Sequence, residues 1–293
     1  MTVASYAAAQ LLRVLPRAQI TRVVGRLADA SLPPALATAV VGLYVRAYNV
    51  DLDEAVLPEG SFASFDAFFT RALREGVRPA SGDGEAFISP SDGRIVAIGP
   101  VNGAGRLLVK GQGYGVEDLV GDGVDAKRYD HGQFAVIYLS PRDYHRVHAP
   151  VTGTISCVRS MPGDYFPVNS IGERHVPQLF ARNRRVAIAI DSPTMGRVTV
   201  VMVSAMIVGR ITVTAVPGRD VPMGTHRLDP GMPVARGEEI GVFRLGSTAV
   251  VFVEPGAVPP WTRTPGAVLL GEALGPARSA PPSAPPVDGA IQP

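Results

Sequence analysis

Two of the five histidines, His145 and His148, lie three residues apart in a polar segment, 138–150, that follows a Val/Ile-rich stretch. A His-x-x-His pair on a helix could share a metal ion. Pro141 and Pro150 leave little room for a helix here, and no further ligand is near, so we predict no metal site. Either histidine alone would be structural by default. Together in a polar turn they favour acid–base chemistry.

Asp92 and Ser247 are the other candidates for chemistry. Asp92 precedes Gly93 in a pattern that is typical of a turn. Ser247 follows a glycine and precedes a β-branched run. A serine hydrolase of the α/β type would place Gly-x-Ser-x-Gly on a strand–helix elbow, whereas the residue two after Ser247 is Ala249 and the pattern beyond it predicts a strand. Each stretch alone is a common loop sequence.

Taken together and in this order, the motifs resemble the phosphatidylserine decarboxylase family. The resemblance rests on Leu-Gly-Ser-Thr at 245–248, on Ser-Pro-Arg-Asp-Tyr-His-Arg-Val-His at 140–148 and on the Asp-Gly turn at 92–93. Similar segments are Lys-Gly-Gln-Gly-Tyr at 110–114, Pro-Gly-Asp at 162–164 and Leu-Phe-Ala-Arg-Asn at 179–183. The similarity runs from about residue 10 to residue 256. Arg184 departs from the family pattern, where we expect glutamate.

The resemblance implies a proenzyme that cuts its own chain between Gly246 and Ser247. Asp92, His148 and Ser247 would form the cleavage triad, in which the imidazole takes the proton of the serine hydroxyl as this attacks the preceding carbonyl. Gly246 has no Cβ to restrict the backbone there. Breakdown of the ester would leave a covalent pyruvoyl group derived from Ser247, with the electron-sink role that pyridoxal phosphate has elsewhere. His145 would return a proton to the decarboxylated substrate.

The implied reaction converts phosphatidylserine to phosphatidylethanolamine. The resemblance further implies a phospholipid substrate, a peripheral position on the cytoplasmic side of the cell membrane, and two fragments that stay associated; it leaves a homodimer open. Two alternatives remain. An ether lipid of the archaetidylserine type has the same headgroup chemistry, and a Ser-His-Asp esterase could use Ser247 without cleaving the chain. The complete set of four candidate residues argues against an inactive lipid-binding module.

The N-terminal region predicts amphipathic, arginine-bearing helices. Apolar residues at i, i+3, i+4 and i+7 define the first, namely Ile20, Val23, Val24 and Leu27. A second covers 36–48, and a third is predicted over 64–76, with Ser64 as its cap and Gly76 just past its end. Periodicity alone leaves open whether these helices pack on the body or lie in a membrane interface. The family resemblance favours membrane docking.

Beyond residue 87, short Val/Ile-rich stretches recur between Gly, Pro, Asp and Asn residues. The predicted strands include 93–98, 133–139, 186–190, 198–208 and 249–253. No long helical pattern alternates with them, so we predict an α+β fold with N-terminal helices on a β-rich, mainly antiparallel body. The predicted regions are an N-terminal helical, membrane-associating region at 1–80, a catalytic domain at 81–275, and a disordered tail at 276–293 that is rich in Pro, Ala and Ser.

Composition excludes several classes of protein. The formal net charge of +2 is too small to indicate a nucleic-acid partner. The longest uncharged apolar run, 198–209, is too short to span a bilayer. Cys157 is the single cysteine and excludes an intrachain disulfide. Gln10, Arg13 and Arg17 interrupt the early apolar run, so we expect no secretory signal.

Overall fold

The computed structural model of the chain describes residues 15–82, 86–168, 170–207, 209–245 and 247–276. Its helices are α1 (Arg17–Asp29), α2 (Pro34–Tyr48), α3 (Phe65–Phe69), α4 (Val116–Val120), α5 (Gly123–Lys127), α6 (Ser170–His175) and α7 (Leu179–Arg182). Its strands are β1 (Gly93–Pro100), β2 (Arg106–Val109), β3 (Gln112–Gly115), β4 (Gln133–Leu139), β5 (Arg146–His148), β6 (Gly153–Met161), β7 (Arg185–Ser192), β8 (Gly196–Val203), β9 (Arg210–Val213), β10 (Gly224–Val234), β11 (Glu239–Arg244), β12 (Ser247–Val253) and β13 (Gly266–Val268). The predicted α+β class is confirmed.

An eight-stranded antiparallel sheet forms the body, in the order β10-β6-β7-β8-β12-β4-β1-β13. Strand β12 lies inside this sheet and pairs along its length with β4 on one side and β8 on the other. All seven of its residues are buried. The apolar run that predicted a strand is therefore continuous rather than alternating, because both faces of β12 are covered.

A second sheet of three strands, β5-β11-β9, lies beside the first. Strand β11 ends at Arg244 and β12 begins at Ser247, so the chain passes from the small sheet into the large one within two residues. Leu245 lies at this passage with a positive φ of 88°. Gly246, one half of the predicted cleavage site, lies outside the described residues.

Strand β8 is shorter than predicted. The sequence predicted a strand over 198–208, but β8 ends at Val203. Two contacts hold the backbone beyond it away from the sheet. The hydroxyl of Thr21 accepts a hydrogen bond from the amide of Ile207 at 3.1 Å, and the carbonyl of Gly209 accepts one from Arg184 at 2.8 Å. The 204–207 segment consequently forms a loop over the end of the sheet.

The first two helices are where the sequence predicted them, but the predicted third helix is too long. Ser64 does cap α3, since its Oγ accepts a hydrogen bond from the amide of Ala67 at 3.1 Å. The helix then ends at Phe69 rather than near residue 76. Beyond it the chain is extended and forms an antiparallel bridge between Leu73 and Ala55. The apolar side chains after Phe69 thus pack through strand-like pairing and not along a helix.

Salt bridges attach the N-terminal helices to the body. Arg17 of α1 pairs with Asp164 at 2.6 Å, and Asp29 at its other end pairs with Arg210 at 2.5 Å. None of the helices among the described residues combines the length and hydropathy that crossing a membrane requires. The predicted tail falls almost wholly outside the described residues, as do residues 1–14. The predicted division of the chain at residue 80 stays a prediction.

Candidate active site

A cavity of about 490 Å³ lies between the three N-terminal helices and the end of the large sheet. The helices contribute Val24, Leu27, Ala28, Val40, Tyr44, Tyr48, Phe65 and Phe69, and the body contributes Tyr138, Leu139, Pro141, Pro167, Val168, Ala205, Met206, Ile207, Leu245 and Ser247. No described residue in this wall carries a formal charge at neutral pH. The site is therefore suited to hydrocarbon, with one aliphatic hydroxyl among the described residues of its wall.

That hydroxyl belongs to Ser247, the first residue of β12. The residue is 1% exposed and pairs in register with Leu139 of β4. Its Oγ is buried and has no hydrogen-bond partner among the described residues. Leu245, two residues earlier, has a backbone conformation that costs a non-glycine residue roughly 1–3 kcal/mol. The predicted nucleophile is thus an unpaired polar group next to a strained turn.

His148, the predicted base, lies on β5 next to β11. Its Nδ1 is 2.8 Å from the carbonyl oxygen of Gly237 and must carry the proton, because a carbonyl only accepts. Its Nε2 is 3.1 Å from the hydroxyl of Tyr144. Burial lowers the pKa of His148 and raises that of Tyr144, so the tyrosine hydroxyl donates a hydrogen bond to Nε2 of a neutral imidazole. Gly237 has a φ of 85°, which suits glycine at this turn.

Asp92 is 5% exposed and is held mainly by Arg78. The guanidinium donates from Nε to Oδ1 at 3.0 Å and from Nη2 to Oδ2 at 2.8 Å, and the amide of Leu270 donates to Oδ1 at 2.7 Å. Arg78 also binds Glu54, with 2.6 Å between Nη2 and Oε2. Asp92, the predicted orienting carboxylate, is therefore part of an ion-pair cluster with Arg78 and Glu54.

Gly93 allows Asp92 to lie close to β4. A Cβ at this glycine would come within 2.4 Å of the carbonyl oxygen of Tyr138 on β4, and its φ is 150°. No side chain fits there, so the Asp-Gly pair marks a close approach of two strands as well as a turn.

The structure gathers the predicted triad around the end of β4. Asp92 precedes β1 on one side of β4, and Ser247 begins β12 on the other. The amide of His148 donates to the carbonyl of Pro90 at 2.8 Å, which attaches β5 to the Asp92 turn. In the part of the chain that the structure describes, however, no hydrogen bond joins His148 to Ser247 or to Asp92. Each of these side chains is paired elsewhere or, for Ser247, unpaired.

His145 is completely buried, with its ring centroid 4.1 Å from that of Phe69 in the cavity wall. Its Nδ1 donates to the carbonyl oxygen of Asp143 at 2.7 Å, and its Nε2 has no partner in the described chain. Burial, helped by the positive charge of Arg71, lowers the pKa of His145 to about 3. The ring is therefore neutral at physiological pH, with its lone pair on Nε2.

Three contributors to the site were missed from the sequence. Tyr144 lies inside the 140–148 motif, four residues before His148, and its position in that motif could have been used to find it. Arg71 and Arg78 carry no local pattern that indicates a role. Both reach the site through the chain that follows α3, where Arg71 binds the carbonyl of Arg142 and Arg78 binds Asp92.

A family model described as phosphatidylserine decarboxylase matches residues 65–275, a range that includes Asp92, His145, His148 and Ser247. The chain belongs to the phosphatidylserine decarboxylase family. It is 39% identical over 269 residues to a phosphatidylserine decarboxylase proenzyme of Acinetobacter baumannii, with 89% of this chain and 93% of that protein covered. A protein of the same name from Bordetella avium is 41% identical over 270 residues, covering 88% and 90% of the two chains. Another from Shewanella baltica is 40% identical over 255 residues, covering 84% and 87%.

Membership of the phosphatidylserine decarboxylase family confirms the predicted resemblance and, with it, the prediction that the chain is a carboxy-lyase. Arg184, which departs from the expected family pattern, is 1% exposed and pairs with Asp220 at 2.7 Å. Its charge is thus compensated within this chain, and its hydrogen bond to Gly209 shapes the loop that bounds the cavity.

Proposed function

We propose that the chain is a self-cleaving proenzyme that cuts its Gly246–Ser247 bond and then decarboxylates phosphatidylserine to phosphatidylethanolamine. The observation that carries the proposal is the state of Ser247. Its hydroxyl is buried without a partner among the described residues, the residue lines an apolar cavity, and Leu245 two residues earlier has a positive φ.

Two features favour attack by Ser247 on the preceding carbonyl. No hydrogen bond to Oγ has to be broken first, and cutting the chain would release the strain at Leu245. His148 is the base in this proposal, since its Nε2 carries the lone pair. Tyr144 occupies that lone pair in the uncut chain, so its hydroxyl must turn away from Nε2 before the serine proton can be taken.

Asp92 acts on His148 through its charge in this proposal. The carboxylate is bound by Arg78, yet it lies close enough to favour the protonated form of the imidazole. The ring is oriented by a different acceptor, the carbonyl oxygen of Gly237. This division differs from the usual triad, in which one carboxylate does both.

Position 247 fits a pyruvoyl group because the serine from which it would derive is buried, unpaired and surrounded by apolar side chains. Such a group would supply a ketone that reacts with the substrate amine and a neighbouring carbonyl that accepts the electrons released with CO2. The surrounding apolar wall excludes water from this chemistry.

His145 handles the proton of the decarboxylation step. Its Nδ1 proton is committed to the carbonyl of Asp143, so in the resting protein only Nε2 can exchange a proton, and it is an acceptor. We assign it two successive transfers. Nε2 first takes a proton from the substrate ammonium group, which must be deprotonated to react, and then delivers it to the α-carbon that CO2 has left.

The lipid chains would enter from the membrane through the N-terminal helices. Leu27 lines the cavity and is 66% exposed, and Val23 on the same helix is 54% exposed. Leu36 and Leu43 of α2 are 49% and 69% exposed. Exposed apolar side chains on arginine-bearing helices are typical of docking in a membrane interface. We therefore propose a peripheral position on the cytoplasmic side of the cell membrane.

The two fragments would stay together after cleavage. The second fragment begins with β12, which is hydrogen-bonded to β4 and β8 along both edges and has only buried residues. Its removal would open the middle of the large sheet.

The proposal is tested by incubating the purified protein with phosphatidylserine in detergent micelles and measuring released CO2 and phosphatidylethanolamine. Ser247→Ala is the control and should release neither. A wild-type protein that stays a single chain on a denaturing gel and instead hydrolyses ester-linked lipids would favour the esterase alternative. Comparison with an ether-linked serine lipid addresses the archaetidylserine alternative.

A further inference from the structure

Arg71 is a buried cation that forms no ion pair with any described residue. Arg71 is 6% exposed. Its Nη2 donates to the carbonyl oxygen of Arg142 at 3.1 Å, and its Nε is buried with no partner in the described chain. The guanidinium also lies 5.5 Å from the ring centroid of Phe68. No carboxylate in the described parts of the chain forms an ion pair with it. Buried charges in proteins are normally paired, so Arg71 has capacity for an anion.

Two of the other buried arginines are compensated by carboxylates, whereas Arg185 has none among the described residues. Arg159, also 6% exposed, pairs with Asp125 at 2.7 Å, and Arg184, 1% exposed, pairs with Asp220 at 2.7 Å. The fold therefore places a carboxylate beside Arg159 and Arg184, but no described carboxylate pairs with Arg71.

The arginines nearest the active site are also occupied. Arg78 is held by two carboxylates, Arg146 pairs with Glu239 at 2.8 Å, and Arg244 pairs with Asp66. Unlike these three arginines, Arg71 has no carboxylate partner in the described chain, and its Nε donor is unused.

Arg71 lies directly behind the cavity wall. It lies two residues after Phe69, which lines the cavity and packs on His145. The carbonyl that it binds belongs to Arg142, the residue after Pro141, which also lines the cavity. Its charge acts on groups of three different segments, namely Tyr44, Asp92, Asp143, Tyr144 and His145.

A serine phospholipid brings two oxyanions to this site, a phosphodiester and a carboxylate, and only one ammonium group. The wall of the cavity offers them no charged partner among the described residues. We propose that Arg71 binds an oxyanion of the phospholipid headgroup, an inference that rests on the proposed function. Binding would also offset the positive charge that opposes protonation of His145, so substrate binding would favour proton uptake at its Nε2.

The experiment compares Arg71→Gln and Arg71→Lys with a matched control, Arg185→Gln. Arg185 is also buried without a carboxylate partner among the described residues, but it donates to the carbonyls of Ala181 and Asn183, neither of which lines the cavity or adjoins a residue that does. Dissociation constants for short-chain phosphatidylserine and phosphatidylethanolamine are measured by calorimetry on the uncut Ser247→Ala chain. KM for phosphatidylserine is measured on the cleaved enzymes.

Arg71→Gln should weaken binding and raise KM by about 10–100-fold, the range for losing a hydrogen bond to a charged group. Arg71→Lys should lose less, because it keeps the charge but not the planar fork. Arg185→Gln should bind as the parent does. Equal losses for both lipids identify the phosphodiester as the ligand, and a loss for phosphatidylserine alone identifies the carboxylate.

Unchanged binding and KM in Arg71→Gln would overturn the proposal, as would a parent chain that binds neither lipid. If a thermal melt shows that Arg71→Gln does not fold, the test rests on Arg71→Lys. A folded Arg71→Lys variant that binds both lipids as tightly as the parent would also overturn the proposal. The proposed function fails separately, when the cleaved wild-type enzyme releases no CO2 from phosphatidylserine.

Discussion

Replacing His145 by asparagine should make the protein less sensitive to acid. The side-chain amide of asparagine can keep the hydrogen bond that Nδ1 donates to Asp143, but it does not titrate. In the native chain the pKa of His145 is lowered from 6.5 to about 3, chiefly by burial. His145 therefore binds a proton near pH 6.5 in the unfolded chain but only near pH 3 in the folded chain.

The sign and size of the change in the free energy of unfolding follow from proton linkage. Between these two pKa values the unfolded state binds more protons, so the free energy of unfolding falls as the pH falls. From pH 7 to pH 5 the contribution of His145 is a loss of about 2 kcal/mol, at 1.36 kcal/mol for each unit below the unfolded pKa. His148, whose pKa is also lowered, adds to the loss in both proteins.

The assay is urea unfolding at pH 7 and pH 5, with both chains carrying Ser247→Ala so that they remain uncut. The parent should lose about 2 kcal/mol more than the His145→Asn variant over this interval. An identical loss in the two chains would show that His145 is not a buried neutral ring, and its assignment as a proton acceptor at Nε2 would be refuted.

Three further outcomes are expected. Asp92→Asn and Glu54→Gln both remove a carboxylate from Arg78, but only Asp92 of the two acts on His148, so Asp92→Asn should slow self-cleavage far more. Equal time courses of the two variants on denaturing gels would show that Asp92 has only a structural role. His145→Ala should still cleave but lose about 10²–10⁴ in turnover per cleaved molecule, and near-normal turnover would remove it from the mechanism. Aspartate at both Val23 and Leu43, which are exposed and do not line the cavity, should weaken flotation with phospholipid vesicles while leaving self-cleavage intact, and unchanged flotation would refute docking through these helices.

The strands were predictable because their patterns are local. The stretch 133–139 matches β4 at both ends, and the uninterrupted apolar run at 249–253 lies in the buried strand β12. The errors arise where tertiary contacts take over the backbone. The helix predicted over 64–76 stops at Phe69 because Leu73 pairs with Ala55, a partner that no local pattern reveals.

The candidate site shows the same limit. The motifs identified Asp92, His148 and Ser247, and the fold gathers them around β4. The hydrogen bonds that these residues form in the uncut chain were not predictable, since Arg78 and Gly237 carry no sequence signal for their partners. An imidazole oriented by a backbone carbonyl leaves no side-chain pattern to detect.

Intact-mass measurement of the purified protein shows whether Ser247 cuts the chain at its own amino side and becomes a carbonyl group. The account predicts two fragments, residues 1–246 and residues 247–293, with the second lighter by one ammonia than a peptide that begins with serine. Ser247→Ala should give one full-length chain. A wild-type protein that stays whole, or a second fragment with an ordinary amino-terminal serine, would contradict the account.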